Sequence, residues 1–79
     1  MITNQTNIAI VGLGNIGCSF YNYIKNNKKK IFQLTGKTPI IKYISAKNYN
    51  KKRKIKFKKN QWINNPIDIT KKNVDIIVE

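Results

Sequence analysis

Apolar residues in this chain fall into three short blocks, with a periodic stretch between the first two. Asn7-Ile8-Ala9-Ile10-Val11 is apolar after its first residue and stops at Gly12. Alternation would mark a strand with one wet face, so an unbroken run predicts a parallel strand buried on both faces. Past the glycines, Ile16, Phe20, Ile24 and Ile31 recur at near-helical spacing with Tyr23 beside the same stripe, leaving Asn22, Asn26, Lys29 and Lys30 to face water. One long helix is expected, capped by Gly36 and stopped by Pro39. Ile40 to Ala46 is β-branched, aromatic and sharply bounded, and reads as a second strand. Lys47 to Lys59 is basic and irregular, with Ile55 and Phe57 as its anchors. Trp62 and Ile63 read as a short extended piece. Asn64-Asn65-Pro66 is a turn into a brief helix with proline at or near its first position. Val74 to Val78 is a third strand.

Right-handed crossovers through these elements predict a parallel sheet in the order third, second, first. Helices would cover one face. Ile8 and Ile10 point to one side of the first strand and Ala9 and Val11 to the other, so the second face and the strand's free edge are expected to lie open. The chain has 79 residues, room for one small domain or for half of a larger one. Uncovered apolar surface favours the half domain, truncated and at best marginally folded alone. No internal repeat and no linker is visible.

The turn after the first strand reads Gly12-Leu13-Gly14-Asn15-Ile16-Gly17. A lone Gly-x-Gly-x-x-Gly says little; between an apolar strand and an amphipathic helix it is the fingerprint of dinucleotide binding. Gly12 permits the tight turn, Gly14 lets the backbone approach a pyrophosphate, and Gly17 lets the helix pack on the strand. The amides around Asn15 and Ile16 would lie at a helix N-terminus, where unpaired N–H groups and the helix dipole attract an anion. The fold class expected is α/β: the first half of a Rossmann NAD(P)-binding domain over residues 1–79, with three parallel strands and crossover helices, and the catalytic domain absent.

The residue at the end of the second strand selects the cofactor. An acid there grips the ribose of NAD, and a basic residue accommodates the extra phosphate of NADP. The chain's acids are Asp68, Asp75 and Glu79, none of them near that position. Ser45, Ala46, Lys47 and Asn48 stand there, followed by Lys51, Lys52, Arg53 and Lys54. Lys47 is the first candidate for the phosphate and Arg53 the second, while Asn48 could bond a ribose hydroxyl. NADP is expected, with NAD as the alternative.

Charge changes this picture little. Sixteen Lys and Arg face three Asp and Glu, a formal net charge of +13. Such an excess raises the question of a polyanion partner. The bases are nearly all lysine, accompanied by much Asn and Ile, as an AT-biased genome produces. Arg53 is the only arginine, although arginine is preferred for bidentate phosphate and base recognition. Compositional drift is therefore favoured over nucleic-acid binding. Cys18 stands alone and histidine is absent, so neither a disulfide nor a Cys/His metal cluster is expected, which fits a reducing cytoplasm. Met1 to Gln5 lacks the features of a secretory signal, and no apolar run approaches the ~20 residues of a spanning helix. Cys18 reads as a small buried residue, Tyr21 and Tyr23 as packing or surface, and Trp62 as the anchor of the long loop.

Several segments together resemble the homoserine dehydrogenase family. They are Ile8 to Gly17, the Leu34-Thr35-Gly36-Lys37-Thr38-Pro39 link, Ile44-Ser45-Ala46-Lys47, Trp62-Ile63-Asn64-Asn65-Pro66 and, most specifically, the ending Val74-Asp75-Ile76-Ile77-Val78-Glu79. In the family that last strand runs into Leu-Ile-Gly-Gly, missing here. The resemblance implies interconversion of aspartate semialdehyde and homoserine with a nicotinamide cofactor, toward threonine and methionine. It implies backbone contacts from Asn15 and Ile16 to the pyrophosphate, and it sets Lys47 where many members carry arginine. Asn48 replaces a frequent Asp, and Lys52-Arg53-Lys54 replaces a frequent Asp-Arg-Gly. The family's catalytic lysine and substrate-binding acids lie in a downstream domain. No catalytic residue is therefore assigned, and the chain alone is expected to be inactive. The implied partners are a nicotinamide dinucleotide and, in the complete homo-oligomeric enzyme only, a small-molecule substrate. No membrane partner is expected. Two rival readings remain: another two-domain NAD(P)-dependent reductase, and a non-catalytic basic module that binds nucleic acid.

Overall fold

A computed structural model describes residues 4–79. The chain runs through strand β1 (Gln5–Val11), helices α1 (Asn15–Asn26) and α2 (Lys28–Thr35), and strand β2 (Thr38–Ser45). Two 3-10 turns, Lys59–Gln61 and Pro66–Lys71, lead to strand β3 (Ile76–Val78). None of the described helices is long and apolar enough to cross a membrane.

The expected single helix is two. Asn27 ends α1 and starts α2 with φ −123° and ψ 19°. Its side-chain amide donates to the Tyr23 carbonyl at 2.7 Å, giving the backbone a local partner outside the helical ladder, as asparagine does readily. Gly36 then closes α2 at φ 77°, donating its N–H to the Phe32 carbonyl at 2.7 Å.

The strands are parallel, but their order is β2-β1-β3, not third-second-first. Among the described residues, only the extended piece at Trp62–Ile63 lies outside β2, through a parallel bridge from Ile44 to Trp62 and a 2.8 Å bond from the Ile63 N–H to the Ile44 carbonyl. β3 instead crosses to the far edge of β1. Asp75 holds it there: its carboxylate accepts from the Asn7 N–H at 2.7 Å, and its own N–H donates to the Asn7 carbonyl at 2.8 Å. The apolar β1, with a partner on each edge, is thus the centre of the sheet.

That order also overturns the expected open face of β1. Ile8, Ala9 and Ile10 are all buried. Ile8 and Ile10 pack with Ile41, Ile44, Tyr21, Ile24, Leu13 and Ile55. Ile41 and Ile44 lie opposite Ile8 and Ile10, and Lys42 between them has no partner; this bulge brings residues three apart onto one face. Opposite Ala9 stands Tyr43, with the Lys72 ammonium 5.9 Å from its ring. Successive right-handed crossovers in opposite directions lie on opposite faces of a sheet, so the Pro66–Lys71 segment serves the second face, and its Ile69 is buried. Exposed apolar residues lie elsewhere, among them Ile16, Leu34, Ile67 and, on β3, Ile76 and Ile77.

Ile16 was expected in the buried stripe of α1 and is 85% exposed; Tyr23 is exposed too, while Tyr21 and Ile24 are buried. The phase is set by Gly17. A Cβ there would sit 2.1 Å from the Gly12 carbonyl oxygen, so positions 17, 21 and 24 face the sheet and 16 and 23 turn away.

Candidate functional site

β1 leads straight into the turn. Gly12 takes φ 101°, a conformation that L side chains rarely adopt. Its N–H donates to the Ser45 carbonyl at 2.7 Å, tying the turn to the end of β2. Gly14 stands at the N-cap of α1, which has neither a side-chain cap nor an acid in its first turn. The first bond of the helix runs from the Cys18 N–H to the Gly14 carbonyl at 2.9 Å, so the amides of Asn15, Ile16 and Gly17 come before the ladder begins. An added Cβ at Gly14 would meet nothing within 4 Å. The space above this glycine is open.

Two cavities flank the turn. One, of about 520 Å³, lies at the ends of β1 and β2, between Gly12, Gly14, Ser45, Lys47, Arg53 and Pro66. The other, of about 510 Å³, lies at the ends of β1 and β3, bordered by Gly12, Gly14, Gly17 and Val78. β2 and β3 leave β1 in opposite directions, so the turn sits at a topological switch point, where open α/β sheets bind ligands beyond the strands' carboxyl ends. The sequence-selected Gly12, Gly14, Asn15, Ile16, Gly17, Lys47 and Arg53 all border one or both cavities. Leu13 does so as well, but its side chain is buried in the core.

Lys47 is exposed. Arg53 is held differently. Its guanidinium donates through Nη2 to the Lys47 carbonyl and through Nη1 to the Lys51 carbonyl, the latter at 3.2 Å. It also lies over the Trp62 ring, 5.6 Å from its centroid. Its Nε is buried without a hydrogen-bond partner among the described residues. Asn48, in the left-handed region at φ 58°, makes the bend that returns the loop. Trp62 does anchor this loop, packing against the core with Phe57. Sequence reading missed the Arg53 cage and the part played by Pro66; one arginine among lysines, nine residues before the one tryptophan, was the available signal.

The basic loop is pinned to α1 as well. The Tyr21 hydroxyl donates to the Lys56 carbonyl at 2.8 Å. Burial raises its pKa above the ordinary 10.0, against the lowering pull of Gln61. Cys18 is half-buried, its thiol donating to the Leu13 carbonyl at 3.3 Å. A further depression of about 600 Å³, rimmed by Lys25, Lys28, Lys42, Lys56 and Lys58, shares no residue with the glycine turn.

No family model and no curated protein matches the chain. Solved structures do. A crystal structure of Staphylococcus aureus homoserine dehydrogenase at pH 6.5 superposes with a TM-score of 0.82 and 27% identity over 96% of this chain. The structure at pH 7.5 gives 0.82 and 28% over 92%. The chain spans 20% of the first of these proteins and 19% of the second. It resembles homoserine dehydrogenase in fold and in sequence, and its three parallel strands with intervening helices form a partial Rossmann-like α/β unit.

Proposed function

We propose that this chain is the cofactor-binding segment of an oxidoreductase of the homoserine dehydrogenase kind, and that it holds NADP in preference to NAD. One observation carries the reading. An uncapped helix N-terminus and an open Gly14 lie between two cavities at the switch point of a parallel sheet.

The residues present fit a nicotinamide dinucleotide. Space above Gly14 admits a pyrophosphate to the amides of Asn15 and Ile16, where helix dipole and free N–H groups favour an anion. The cavity between β1 and β2 suits the adenosine end. Lys47 and Arg53 border it, and the buried Nε of Arg53 lacks an acceptor. No acid stands there to bond ribose hydroxyls or repel a phosphate, which supports NADP. The cavity between β1 and β3 lies on the nicotinamide side.

When bound, the cofactor supplies hydride exchange with the carbonyl carbon of aspartate semialdehyde. This chain binds and orients; proton transfer and substrate recognition fall to a catalytic domain beyond residues 1–79, and the chain alone is inactive. The other two-domain reductases remain the second reading, because the turn is common to them.

Cofactor choice is tested by titrating the 79-residue chain and its Lys47→Asp variant with NADPH and NADH. The variant replaces a phosphate partner with a repelling charge, so the ratio of the two affinities should shift toward NADH by about tenfold. An unmoved ratio would make Lys47 one more solvated lysine.

A further inference from the structure

Arg53 borders the adenosine-side cavity, while Trp62 does not. Yet the guanidinium lies over the Trp62 ring. Two carbonyls of the same loop, of Lys47 and Lys51, accept from its Nη atoms, and the Trp62 ring closes one side. Trp62 is itself immobilised. Its ring stacks on Phe57 at 5.4 Å and 24°, and Tyr49 meets it edge-on at 5.1 Å. Its indole N–H donates to Asn64 Oδ1 at 3.0 Å, and its backbone bridges to Ile44, which is fully buried. Both carbonyls belong to the loop that carries Arg53 itself. Trp62 is the part of the cage tied to the sheet.

We propose that Trp62 is a positioning residue for 2′-phosphate selectivity, acting through Arg53; this rests on the function proposed above. A free arginine loses much rotamer freedom when a ligand orders it, and a side chain ordered beforehand avoids that loss. The aromatic face supplies a cation–π contact, and each Nη keeps a second N–H beyond the one given to a loop carbonyl. Because Arg53 bonds the Lys47 carbonyl, the same stack steadies the backbone that presents Lys47. NAD lacks the phosphate and gains nothing from this arrangement.

The chain has one arginine and one tryptophan, so a ¹⁵N-labelled sample shows a single arginine Nε–H resonance and a single indole. In the full 79-residue chain the Nε–H resonance should be shifted by the ring current and slow to exchange. In Trp62→Leu it should move to the position of free arginine, and the NADPH-to-NADH affinity ratio should fall about five- to tenfold with NADH affinity unchanged. Trp62→Phe, which keeps an aromatic face in the stack, should restore most of both. A resonance unmoved in Trp62→Leu, or one that moves while the ratio stays, overturns the proposal. So does a Trp62→Phe variant that stays folded but behaves like Trp62→Leu. A wild-type chain that binds neither dinucleotide overturns the proposed function; the resonance then still decides whether Trp62 orders Arg53.

Discussion

At Gly12 the backbone φ excludes ordinary side chains, at Gly17 the neighbouring carbonyl excludes even a methyl group, and at Gly14 neither restriction applies. A methyl at Gly17 would stand 2.1 Å from the Gly12 oxygen, forcing α1 off β1. Gly17→Ala should therefore lower stability by about 1–3 kcal/mol, a shift visible in thermal unfolding with or without cofactor. An unchanged midpoint would show that the helix does not approach the strand so closely. The spacing of the three glycines was legible in the sequence, and so was the fold they announce. The phase of α1 was not. Ile16 fits an apolar period as well as Tyr21 does, and only the contact between Gly17 and Gly12 chooses between them.

Among the elements, β1 and β2 were read nearly to their ends because their apolar runs are long and sharply bounded. β3 was found but misplaced. Its neighbour is chosen by Asn7 and Asp75, which bond across 68 residues of sequence, and no local pattern reports such a pair. The break at Asn27 was missed for a related reason: its effect comes from one side-chain bond inside an otherwise helical stretch. The basic loop gains its order from α1 through Tyr21, whose hydroxyl donates to the Lys56 carbonyl. Tyr21→Phe should cost about 1 kcal/mol at neutral pH. Burial raises the hydroxyl's pKa above 10.0, so the unfolded chain releases this proton at lower pH than the folded one. The stabilising contribution is complete below pH 10.0 and is lost as pH climbs through the raised value. Wild type should therefore lose its advantage over Tyr21→Phe in alkaline denaturation curves. Lysine titration cancels in that difference. A constant gap across the range would contradict the burial of the hydroxyl.

Over the whole molecule, positive charge is spread broadly while the three acids sit at positions 68, 75 and 79. Such a distribution attracts any polyanion, and salt separates that attraction from a built site. Between about 50 and 200 mM salt, an oligonucleotide held by many phosphate contacts loses on the order of 10³-fold in affinity. NADPH carries few phosphates, and its binding here should weaken by less than about tenfold over the same range. The exposed apolar residues, Ile16, Leu34, Ile67, Ile76 and Ile77 among them, do not line the adenosine-side cavity and leave this comparison intact. The central claim is that the glycine turn holds a dinucleotide, and Gly14→Val tests it most directly. A Cβ added at Gly14 meets nothing within 4 Å and its backbone φ is ordinary, so the variant should keep the wild-type circular dichroism spectrum and unfolding midpoint while filling the space a pyrophosphate needs. In an equilibrium titration with NADPH, wild type should saturate at one site per chain and the folded Gly14→Val variant should show no saturable binding. Equal affinities in the two proteins, or no saturable binding by wild type, would contradict the account.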